Sequence, residues 1–207
     1  MQNHKASLIV DKTTFTIKLK KKIMKKTRNF FLLGLFAILA NVAVAQTERT
    51  VMVGGAAMYP SKDIVSNAVN SKDHTTLVAA VKAAGLVETL QGDGPFTVFA
   101  PTNEAFNRLP AGTVDNLVKP ENKQTLTGIL TYHVVPGKIS SADLAKMIKK
   151  GNGSASLKTV AGGTLTVMMK GSNIVLKDAK GGESMVTIKD VNQRNGVIHV
   201  VDHVLMP

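Results

Sequence analysis

With no cysteine in its 207 residues, this sequence leaves acid–base and ligand chemistry to its histidines, carboxylates and tyrosines. His199, Asp202 and His203 stand together near the C-terminus. On a strand, positions 199, 201 and 203 share a side, so the two imidazoles would face one way. The spacing does not match a helical zinc pair and a third ligand is not identified. Ile198, Val200 and Val204 make the opposite face apolar, and the run reads as a core strand, so no metal site is assigned. Tyr132-His133 is the second cluster. Leu126, Ile129, Leu130 and His133 recur at i, i+3, i+4 and i+7, which puts His133 on a buried helix stripe and Tyr132 about 100° round from it. His133 then reads as a hydrogen-bonded residue at the core margin in preference to a catalytic base, and Tyr132 as either a core edge or a contact residue. A hydrolase needs a nucleophile held beside a base, yet the sequence has no G-x-S-x-G elbow, no G-x-G-x-x-G fingerprint and no phosphate loop. No catalytic residue and no cofactor is assigned, and the chain reads as a non-enzyme.

The elements that must position these residues follow from periodicity and punctuation. Gln46 to Lys62 shows no sustained period and reads as an extended arm. Asp63 to Asn70 is a short helix and Thr75 to Ala84 a longer one, with Leu77, Val78, Val81 and Ala84 as its stripe and Gly85 as its stop. Phe96 to Ala100 is a strand ended by Pro101, after which Thr102 or Asn103 caps a helix. A helix from Glu121 runs to His133, Lys138-Ile139 starts a strand, and Ser140 or Ser141 caps a helix over Ala142 to Lys150. Short runs at Leu157–Val160, Thr164–Met169, Asn173–Lys177, Met185–Asp190 and Gly196–Val201 alternate with glycine turns, which implies a mostly antiparallel sheet. Helices early and strands late make an α+β domain.

Residues 1–45 read as a leader. Lys25, Lys26 and Arg28 precede the apolar run Phe30 to Ala40, and Ala43-Val44-Ala45 offers a cleavage site. A leader of ordinary length begins at Met24, which makes residues 1–23 a mis-called start and 24–45 the signal peptide. Nine of the 26 Lys and Arg and one of the 14 Asp and Glu lie in this leader, so the formal charge falls from +12 to +4 once it is removed. The remaining bases show no clustered face with aromatic platforms, which argues against nucleic acid. Absence of cysteine also excludes disulfides and a lipid-modified cysteine after the leader. The expected product is exported, periplasmic or extracellular, without a membrane span.

Three ordered segments carry a family likeness: GPFTVFAPTNEAF (Gly94 to Phe106), LTYHVVPGKI (Leu130 to Ile139) and NGVIHVVDHVLMP (Asn195 to Pro207). Together they resemble the first homology box, the Tyr-His motif and the second homology box of the fasciclin (FAS1) domain. The resemblance covers nearly all of the chain after the leader, as one FAS1 domain over residues 63–207. It implies a β-sandwich-like wedge of short strands with helices packed at one side, and an adhesion-like module that binds a protein or glycan partner. In adhesive members a Lys-Asp-Ile type motif precedes the second box, and Lys189-Asp190-Val191 occupies that place here, with Val for Ile. The contact candidates are therefore Asp190, Val191, Tyr132 and His133. Asp190 stands either as a contact or as a turn residue before Asn195-Gly196, a hairpin-like dipeptide. In the contact case, Asp190→Ala reduces attachment and leaves the melting temperature nearly unchanged. The alternative reading is a periplasmic small-molecule-binding or accessory enzymatic protein, which requires a concave pocket.

Overall fold

The computed structural model describes residues 48–207. The leader expectations lie outside the described residues. The arm does not stay extended: Val51–Val53 (β1) and Ala56–Met58 (β2) pair as a hairpin around Gly54-Gly55. Val53 and Met58 are buried in the core, so the domain begins earlier than residue 63. Three-residue strands are too short for a periodicity signal, and the hairpin owes its position to packing on the body.

Four helices come first, three of them where caps or stripes place them. Asp63 caps Ile64–Ala68 (α1) by accepting from the Ser66 amide. Thr75–Ala84 (α2) buries Leu77, Ala80, Val81 and Ala84 and stops at Gly85, whose left-handed conformation suits glycine. Val87–Gln91 (α3) leads into Phe96–Pro101 (β3), and Thr102 caps Asn103–Asn107 (α4). The other candidate cap, Asn103, instead ties the start of α2 to Lys72 through three side-chain hydrogen bonds.

After Thr113–Leu117 (α5), the helix expected from Glu121 is Lys123–Tyr132 (α6), entered through a 3-10 turn at Pro120–Asn122. His133 caps it and Val134–Pro136 forms β4. Lys138-Ile139, expected to begin a strand, is a connection to Ser141–Lys150 (α7). That helix starts in a reciprocal capping box between Ser140 and Asp143.

The remaining strands are Ser154–Lys158 (β5), Thr164–Lys170 (β6), Asn173–Lys177 (β7), Glu183–Gln193 (β8) and Gly196–Val201 (β9). The seven-stranded sheet runs β4-β3-β9-β8-β7-β6-β5. All its pairs are antiparallel except β3 with β9, which run parallel from Phe96↔Gly196 to Pro101↔Val201. Two apolar clusters fill the body. One packs α1, α2, α3 and α6 against β3 and β9. The other gathers Phe99, Tyr132, Leu144, Leu165, Leu176 and Leu205 among α7 and the later strands. Mixed helix and sheet with mostly antiparallel pairing is the expected α+β fold class.

Asn195 locks the corner where β9 enters. Buried, it accepts from the Ile64 amide at 3.1 Å and donates to the Leu90 and Gly92 carbonyls, each at 2.8 Å. The Asn195-Gly196 hairpin expectation is corrected here. The two-residue loop is Arg194-Asn195, and Gly196 already pairs with Gln193 in β9.

Candidate functional site

Tyr132 and His133 end α6 between the two clusters. Tyr132 is fully buried; its hydroxyl donates to the Thr164 carbonyl at 2.8 Å and accepts from the Ala179 amide at 3.1 Å. Its ring lies against Gly163, where a Cβ would stand 2.7 Å from a ring carbon. Burial raises the phenol's pKa, so it stays neutral. His133 donates from Nδ1 to the Ile129 carbonyl at 2.8 Å and accepts at Nε2 from the Leu205 amide at 3.0 Å. Both ring nitrogens are thereby used by the backbone. Burial pushes the imidazole down to about 4, outweighing the Ile129 carbonyl and the Asp178 carboxylate, which favour its charged form. Neither side chain reaches solvent, so the expectation that Tyr132 and His133 make surface contacts is not carried forward. The helix stripe foretold the burial of His133. That of Tyr132 follows from the second cluster, which lies on the side the stripe left open.

Lys189-Asp190-Val191 falls at an irregularity in β8, where pairing to β9 shifts register between Ile188 and Val191. Asp190 adopts φ 59°, a left-handed conformation that Asp tolerates better than most residues. Its carboxylate accepts from the Ser141 amide at 2.7 Å and from the Ser141 hydroxyl, binding β8 to the first turn of α7. Its own amide donates to His199 Nδ1 at 3.3 Å, and His199 Nε2 donates to the Ile139 carbonyl at 2.9 Å. His199 is fully buried and stacks on Phe99, with ring centroids 5.7 Å apart. Val191 is also fully buried, so it too offers no surface to a partner. Of the three motif residues, Lys189 alone is exposed and Asp190 is half-buried.

This geometry replaces the expectation that Asp190→Ala leaves the melting temperature unchanged. Alanine loses both Ser141 bonds and must still hold a left-handed φ, a combined cost of about 2 kcal/mol. Asp190→Asn, which keeps an acceptor and tolerates that φ, should cost less. Urea denaturation of both variants measures this, and equal stability of Asp190→Ala and the parent would refute it.

His199, Asp202 and His203 do not converge. β9 ends at Val201, and His203 turns to Asp202, 2.9 Å away, and to Arg108, also 2.9 Å away. Among the described residues no group of three His, Asp or Glu side chains is placed to hold a metal.

Sequence reasoning missed one concave feature. An apolar cleft opens between α1, α2, α3 and the end of α6, with an empty volume of about 810 Å³ counting its solvent-open part. Leu77, Val81, Leu90, Val98, Leu130 and Val134 line its walls. Its only charged lining residue is Lys82, and His133 is the one histidine that reaches it. No linear signal marks it, because every wall residue also reads as ordinary core.

A family model, the Fasciclin domain, matches residues 72–207. The chain belongs to the fasciclin domain family. Protein sll1483 of Synechocystis is 45% identical over 177 residues, spanning 86% of this chain and 91% of that one. Immunogenic protein MPB70 of Mycobacterium bovis is 35% identical over 173 residues, 81% of this chain and 79% of that one. Among solved structures, a FAS1 domain pair from the insect cell adhesion molecule fasciclin I superposes with a TM-score of 0.64 at 18% identity, covering 78% of this chain and 59% of the pair. Within this FAS1 domain the Tyr-His motif and the second homology box meet at the bond from Leu205 to His133. No helix among the described residues is long and apolar enough to cross a membrane.

Proposed function

We propose that this FAS1 domain is an exported binding module, without catalysis of its own, whose partner is a protein or glycan on a cell surface or matrix. The adhesion molecule that supplied the structural likeness supports this reading. So does the use of Tyr132, His133, Asp190 and His199 in internal hydrogen bonds, which leaves these groups no free proton-transfer role. The observation that carries the choice of surface is a shallow polar depression beside the Asp190 irregularity, lined by Ser172, Asn173, Ile174, Val186, Thr187 and Lys189. Hydroxyl, amide and ammonium groups of this kind bind sugars or polar protein surfaces. Asp190 acts behind that face by holding the β8 backbone in place.

The test uses beads coated with the protein, applied to envelope or matrix surfaces that are untreated, protease-treated or periodate-oxidised. Retention should fall with one of the two treatments, naming protein or glycan. The double variant Lys189→Glu, Thr187→Arg should lose most of the retention at an unchanged melting temperature. Retention of the double variant equal to that of the parent would remove this surface from the proposal, and no retention of the parent would remove the proposal itself. A small-molecule-binding role has one specific observation behind it, the apolar cleft.

A further inference from the structure

We infer that the cleft between α1, α2 and α3 takes a single-chain anionic amphiphile, an alkyl carboxylate, with its chain along the cleft and its headgroup at Lys82. The inference rests on the small-molecule-binding reading. The walls come from four elements: Leu77, Val78 and Val81 from α2, Leu90 from α3, Val98 from β3 and Leu130 from α6. Apart from His133, whose two ring nitrogens are already bonded, the side chains that could address a polar ligand are Thr89, Thr131 and Lys82. Thr131 has given its hydroxyl to the Thr127 carbonyl at 2.7 Å. A sugar, nucleotide or peptide would bury polar groups without partners in such a site. An alkyl chain has none to bury.

Charge at the mouth selects the headgroup. Lys82 is exposed, lies on the last turn of α2 and is the cleft's only charged lining residue. Lys123, outside the lining, places its Nζ over the Gly85 turn that ends α2, 3.3 Å from where a Cβ on residue 85 would be. Neither lysine forms a salt bridge among the described residues. Glu88, on α3, is exposed and outside the lining. An unpaired ammonium group on the lining of an otherwise apolar slot complements a carboxylate at the end of a chain.

Calorimetric titration of the purified protein with octanoate, decanoate and dodecanoate, each below its micelle-forming concentration, tests this. Saturable binding at one equivalent is expected, tightening about fourfold per added methylene until the cleft is filled. Lys82→Gln, at an exposed position, should weaken decanoate by about fivefold and leave decanol unchanged. If neither decanoate nor decanol binds saturably, both the inference and the small-molecule reading fall. If decanol binds as well as decanoate and Lys82→Gln changes neither, the headgroup assignment falls and the apolar-ligand reading stands. Bead retention is independent of all these outcomes, so the adhesion proposal stands or falls separately.

Discussion

Gly196→Ala is expected to cost the domain most of its stability, with a loss of more than about 3 kcal/mol. A Cβ at this position would stand 2.0 Å from the Phe96 carbonyl oxygen and 2.9 Å from its carbon. Those atoms are backbone, and they belong to the first rung of the parallel pairing between β3 and β9. No rotamer change relieves the clash, so one strand must move. The movement would also disturb the bond from the Phe96 amide to the Asn195 carbonyl, 3.0 Å long, and with it the three side-chain bonds of Asn195. Native domains are stable by only about 5–15 kcal/mol, so this change alone brings the chain near unfolding. Gly128→Ala is the matched control. It lies within α6 with nothing within 4 Å of the added carbon, so it should stabilise by about 0.5–1 kcal/mol. Opposite signs for the same chemical change, read from thermal or urea unfolding, are the expected result. A Gly196→Ala melting temperature within a few degrees of the parent's would show that the strand entry tolerates the atom.

The second large effect is loss of stability in mild acid. His133 is neutral in the fold, its pKa lowered by burial to about 4, whereas in the unfolded chain it takes a proton near 6.5, the ordinary imidazole value. Below pH 6.5 the unfolded state therefore binds a proton that the folded state refuses. The stability due to the neutral imidazole is fully present above pH 6.5, declines as pH falls, and is gone by about pH 4, where the folded protein also protonates. The span corresponds to about 3 kcal/mol from His133 alone. Burial also lowers the pKa of His74 and of His199, so both add loss of the same sign. Denaturant midpoints measured from pH 7.5 to 4.5 should fall steadily, and His133→Gln should flatten part of that slope while costing stability at pH 7.5. A His133 imidazole resonance titrating near 6.5 in the folded protein would contradict this account.

What the residues disclosed in advance depended on how local the cause was. The stop of α2 at Gly85, a serine cap at the start of α7 and the strand Asn173–Lys177 were legible because each rests on a short-range pattern. The parallel contact of β3 with β9 was not, since its partners are far apart in sequence and neither strand carries a mark of the other. Gly196 illustrates the difference. Next to Asn195 it looks like a turn glycine, but it is required by the nearness of Phe96. Among the site candidates, the stripe correctly turned His133 inward, whereas Tyr132 needed knowledge of a second cluster. Asp190 read as either a contact or a turn residue, because its left-handed backbone and its grip on Ser141 leave no trace in a linear motif.

The late position of β9 has a consequence for how the protein is made. Ile198 and Val200 complete one apolar cluster, Val201 and Leu205 the other, and the amides of Leu205 and Met206 close onto His133 and Asp178. Neither cluster is complete until β9 and Leu205 have been synthesised. Pairing β3 with so distant a partner further slows the search. A nascent chain therefore exposes the unfinished faces of both clusters until β9 has emerged.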